Sequence, residues 1–121
     1  RHSAGDRGGR LMEWSPARVA AAHRILADVP PDESVCASQA FVPHLVNRPR
    51  VSMLRPRGDG TPELDDAAVV VVDARVDEWG AFPFPLEQYH AAVDHLRRSP
   101  EYVLVREDEG MLLFRRLPAR H

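Results

Sequence analysis

Five side chains carry groups from which a small polar cleft can be built: Ser38, Gln39, His44, Arg48 and Asp73. Arg48 would be an anion ligand and His44 a hydrogen-bond donor or base, so the cleft suits an anionic or sugar-like group. His44 and Arg48 lie four apart and on a regular helix would share one face. Ser38 and Gln39 directly follow the apolar run Val35-Cys36-Ala37, and Asp73 closes the run Val69-Val70-Val71-Val72. In a parallel sheet those positions fall at the carboxyl ends of strands, where open α/β sheets bind ligands. Each residue also has a purely structural reading. Ser38 is then a helix cap, His44 a packed histidine bonded to a carbonyl, Arg48 a helix-end charge and Asp73 a turn former.

Other chemistry is thinly represented. His23 and His90 each sit early in a helical pattern and would face each other if the helices were adjacent, but two histidines without a third ligand are a poor metal signal. No cofactor or metal is therefore expected. The sequence holds no His-Glu-x-x-His, Cys-x-x-Cys, phosphate-cradling glycine loop or Gly-x-Ser-x-Gly elbow. Asp65-Asp66 and Glu107-Asp108-Glu109 read as solvated loop charges. The lone Cys36 lies inside an apolar run and reads as a small buried hydrophobe. Trp79, Phe82 and Phe84, interleaved with Pro83 and Pro85, form a candidate interaction loop if they do not pack inward.

The elements that must position these groups follow from periodicity and punctuation. Ser15-Pro16 is an N-cap followed by proline at the first helical position, and Val19, Ala22, Leu26 and Val29 recur at helical spacing, which predicts a helix from about Pro16 to Asp28. Pro30-Pro31 stops it. Ser34 to Ala37 reads as a strand buried on both faces, followed by a short helix over Gln39 to Asn47 whose start Pro43 makes bent or 3₁₀. Val51 to Leu54 is a second strand, reached by a crossover long enough for parallel pairing. Arg55 to Asp66 reads as a polar loop. Ala68 to Asp73 is a central strand, because unbroken valine implies cover on both faces. A helix opened by Pro85 runs to Ser99-Pro100, and Glu101 to Arg106 with Met111 to Arg116 form a hairpin around residues 107–110.

These elements make an α/β fold of two or three layers, with a mixed, mostly parallel sheet of about five strands, a C-terminal β-hairpin and flanking helices. The chain of 121 residues, 44% hydrophobic and 28% charged, suits one domain over residues 15–121. Residues 1–14 read as a linker or the cut end of a longer chain. A net charge of −2 gives no basic footprint for nucleic acid. All 16 basic residues are arginine, a composition-wide choice that cannot mark a site.

Two motifs carry a family resemblance: Pro31-Asp32-x-Ser34-Val35-x-Ala37-Ser38, then Val42-Pro43-His44-Leu45-x-x-Arg48, with a later strand ending in Asp73 and a closing Gly110-x-x-x-Phe114-Arg115-Arg116. Over roughly Ser15 to Leu117 the chain resembles the C-terminal soluble portion of an uncharacterised family of polytopic bacterial membrane proteins. That family is related to the membrane glycosyltransferases that use lipid-linked sugar donors. The resemblance implies a non-catalytic soluble domain on the extracytoplasmic face of the cell membrane, assisting substrate binding or assembly. It also implies, as partners, the membrane-spanning part of the same polypeptide and a lipid-linked sugar or glycan. Two alternatives stand beside it: a small free-standing enzyme using His44 and Asp73, and a protein-interaction or self-association module.

Overall fold

The computed structural model describes residues 14–76 and 81–118. Helix α1 (Pro16–Leu26) starts where the cap predicts, with Ser15 Oγ accepting a hydrogen bond from the Arg18 amide at 3.3 Å. Strand β1 (Val35–Ala37) leads into a 3₁₀ helix (Gln39–Leu45), then β2 (Val51–Met53). The short strands β3 (Arg55–Pro56) and β4 (Pro62–Glu63) precede β5 (Val69–Asp73), helix α2 (Leu86–Arg98), β6 (Tyr102–Asp108) and β7 (Met111–Arg116). Among the described residues no helix is long and apolar enough to cross a membrane.

The main sheet has the order β2-β1-β5-β7-β6. β1 lies parallel to both β2 and β5, whereas β7 runs antiparallel to β5 and β6. The α/β class, the mixed five-stranded sheet, the terminal hairpin and the flanking helices are thus as the sequence predicts. Strand alternation sorts the core into two layers. Val35, Ala37, Val69, Val71, Met111 and Leu113 pack with Ala21, Ala22 and Ile25 of α1 and Phe41 of the 3₁₀ helix. Cys36, Val70, Val72, Leu112 and Phe114 pack on the other side with Tyr89, Ala92, Val93 and Leu96 of α2. The result is a three-layer sandwich, which explains why the valine strand shows no polar face.

Three local readings need correction. The expected polar loop after β2 contains a two-stranded ribbon, with Arg55 opposite Glu63 and Pro56 opposite Pro62. Its prolines lack amide donors and so hide the pairing from a sequence reading. The hairpin turn is two residues long, Glu109-Gly110, with φ of 52° and 80°, since β6 extends to Asp108. Positive φ at both positions is the type I′ geometry that matches strand twist, and glutamate is an unusual residue for the first of them. Finally, Asp108 and Asp65 are paired rather than merely solvated. Arg24 grips Asp108 through two bonds of 2.7 and 2.9 Å, and Arg55 grips Asp65 at 2.9 and 3.1 Å.

Helix α1 and the segment that follows it are tied to the hairpin. Arg18 donates to the Glu109 carbonyl at 3.1 Å, Arg24 holds Asp108, Asp28 meets Arg106, and Glu33 accepts from Arg115 at 3.0 Å. Each exposed pair contributes little alone, but together they fix how α1 lies across the sheet.

Candidate functional site

Alternation along β5 places Asp73 on the same face as Val69 and Val71, the face covered by α1. Its side chain is 2% exposed and its carboxylate fully engaged. Arg18 and the Arg75 amide, the latter at 2.9 Å, donate to Oδ1, and the Trp14 indole donates to Oδ2 at 3.0 Å. From the opposite layer the Tyr89 phenol accepts from the Asp73 amide at 3.1 Å and donates to the Asp73 carbonyl at 2.9 Å. Asp73 is therefore the one residue of β5 clasped by both helical layers. Burial pushes the Tyr89 phenol pKa well up, which keeps it protonated and able to donate.

Ser38 is at the N-cap position of the 3₁₀ helix, yet its hydroxyl makes no capping bond. Instead its backbone is used: the amide donates to the Val71 carbonyl at 3.0 Å and the carbonyl accepts from the Phe41 amide at 3.0 Å. The side chain is 1% exposed and forms no hydrogen bond of good geometry, although it is near enough to the Tyr89 phenol to favour its ionised form slightly. Gln39, at the first turn of the 3₁₀ helix, is half-buried.

The 3₁₀ helix decides the rest. Pro43 removes an amide in the middle of the segment, and all seven residues take the tighter winding, not only the start. At three residues per turn, Phe41 and His44 eclipse each other. Both meet the same ring: Trp14 packs edge-on to Phe41 at 4.8 Å and stacks on His44 at 5.3 Å, 17° from parallel. The 3₁₀ helix ends at Leu45, so Arg48 lies beyond it and shares no helical face with His44. Arg48 turns to the C-terminal end of α1, donating to the carbonyls of Leu26, Val29 and Pro30 at 3.0, 3.0 and 2.8 Å. Asp73 is held near the other end of that helix by Arg18, which precedes Leu26 by about 12 Å of helical rise. Of the five predicted residues, Ser38 and Asp73 thus converge on Tyr89, and His44 reaches Asp73 only through Trp14. Arg48 is elsewhere.

Arg48 is a helix-end cation, as in its structural reading, but for α1 instead of its own helix. Replacing it with alanine is expected to cost about 1–2 kcal/mol, since three carbonyls lose a charged donor. Lysine should restore only part of this in urea unfolding, because a single ammonium cannot reproduce the guanidinium fork.

His23 meets His44, not His90. The His23 Nε2 and His44 Nδ1 atoms are 3.4 Å apart, with the rings steeply inclined at 68°. His90 belongs to α2, which covers the opposite face of the sheet, so the two early-helix histidines cannot face each other. Burial, and then the neighbouring His23, hold the His44 pKa below its ordinary value of 6.5. As pH falls below 6.5 the unfolded chain therefore takes up a proton before folded His44 does, and stability is lost down to the folded pKa. Urea midpoints measured across this window should fall with acidity in the native chain, and His44→Gln should flatten that part of the profile.

In the aromatic-proline loop, Phe84 is 4% exposed and belongs to the core under α2, while Phe82 is 58% exposed. Trp79 lies outside the described residues. Cys36 is buried as expected, and burial pushes its thiol up to about 11, away from the reactive thiolate. The residues missed by sequence reading are Trp14, Arg18, His23 as the partner of His44, and Tyr89. Only Trp14 had a local signal: it directly precedes the Ser15 cap, where an apolar residue commonly pins the chain entering a helix. Compared with known proteins, this chain matches no family model, no curated protein and no solved structure.

Proposed function

We propose that this domain is a non-catalytic soluble module of a glycosyltransferase-like polytopic membrane protein, held at the extracytoplasmic face, where it assists substrate binding or assembly. One observation carries the non-catalytic part. The groups best suited to acid-base or anion chemistry are already committed to the fold, Asp73 by three side-chain and amide donors and Arg48 by three helix-end carbonyls. A catalytic carboxylate must reach its substrate, and one whose side chain is 2% exposed beneath Arg18 and Trp14 does not. The membrane context is supported by the motifs of residues 31–48 and their family resemblance. On this reading catalysis, and contact with a lipid-linked sugar, belong to the membrane-spanning part of the polypeptide.

An antibody raised against the domain tests the proposal in native cells. The expected antigen fractionates with membranes, is far larger than the 13.6 kDa of this chain and is cleaved by protease added to intact spheroplasts. A soluble antigen near 13.6 kDa overturns the reading.

Self-association is the second reading, favoured by the exposure of Val103 and Val105, 42% and 50%, on the edge strand β6. The irregular register between Leu104 and Arg106 works against it, because a bulge twists an edge away from strand pairing. Sedimentation that is independent of concentration would remove it.

A further inference from the structure

The His23–His44 contact is left unexplained by either reading. At 3.4 Å it is a long ring-to-ring hydrogen bond, beyond the roughly 2.7–3.2 Å usual for N–H to oxygen. It does match the bite of a metal chelate: with metal–nitrogen bonds of about 2.0–2.1 Å and tetrahedral angles, two ligand nitrogens stand about 3.3–3.4 Å apart. We propose that His23 Nε2 and His44 Nδ1 together chelate one late first-row divalent transition-metal ion, zinc being the best geometric fit.

Three further features suit that role. The two nitrogens come from different elements, α1 and the 3₁₀ helix, so the pair is set by the packing of the fold and does not form in the unfolded chain. His44 is held by stacking on Trp14, and Trp14 is itself anchored by Asp73 at 3.0 Å and backed by Phe41, which fixes the ligand ring from behind. Both imidazoles must be neutral to bind, and burial already disfavours protonation of His44. His23 is exposed, so an ion can enter from solvent. Among the described residues no group of three His, Cys, Asp or Glu side chains is placed to hold a metal. The ion's two remaining positions are thus open to water or to an oxygen ligand of a bound molecule, which is the arrangement of an accessible rather than a closed structural site.

Calorimetric titration of Zn²⁺ into the full chain at pH 7.5 tests the site, alongside His23→Ala, His44→Ala and, as control, His90→Ala. One ion per chain is expected, with affinity falling about tenfold or more in either of the first two variants, since each loses the chelate, and unchanged in the third. Imidazole nitrogen NMR of the native protein should show the ion on His23 Nε2 and His44 Nδ1. Absence of binding overturns the proposal, as does binding that survives His23→Ala. Because His23 is exposed, that variant keeps the test decisive even if His44→Ala loosens the fold.

Discussion

Replacing Asp73 with alanine is expected to remove about 3–5 kcal/mol of folding stability, the cost of leaving a partly buried charge without its partner. The Arg18 side chain is 17% exposed, so water compensates only part of the lost carboxylate. The Trp14 indole and the Arg75 amide lose their acceptor in the same step. Such a loss is a large share of the roughly 5–15 kcal/mol that holds a domain together. Asp73→Asn keeps an acceptor but no charge, and should fall between the two in urea unfolding. If Asp73→Ala unfolded within about 1 kcal/mol of the native chain, the carboxylate would be free of the structural duty assigned to it.

Phe41→Ala should be as damaging, at about 3–5 kcal/mol, because the ring is fully buried between the 3₁₀ helix and the sheet and leaves a cavity. Its effect should reach His44 as well. Phe41 supports the edge of Trp14, and Trp14 supplies the surface on which His44 stacks. Loosening that stack rehydrates the imidazole, so the His44 pKa, followed by NMR, should rise toward 6.5. A large stability loss with no movement of the His44 pKa would show that the two rings are not coupled through Trp14.

The features legible in the sequence are those written in local chemistry. Ser15-Pro16 opens α1, the unbroken Val69 to Val72 run marks a strand covered on both faces, and the apolar spacing of Leu86, Tyr89, Val93 and Leu96 marks α2. The candidate site is only half legible, because strand ends place Ser38 and Asp73 while helical spacing alone pairs His44 with Arg48. Helical spacing predicts His44 and Arg48 as neighbours, but the helix ends at Leu45 before reaching Arg48, and its 3₁₀ winding aligns His44 with Phe41 instead. The contacts that replace that pairing are long in sequence: Trp14 to Asp73, Arg18 to Asp73, His23 to His44. No periodicity encodes them. They depend on which face of the sheet α1 covers and how it is tied to the hairpin.

That arrangement makes the polar cluster a lock between layers, and the Arg18–Asp73 pair is its centre. A double-mutant cycle with Arg18→Ala, Asp73→Asn and the combination, read by urea unfolding, measures this pair directly. The account predicts a coupling energy of about 1–3 kcal/mol between the two sites. Additivity within about 0.5 kcal/mol would contradict it, and would return Asp73 to the list of groups free to do chemistry.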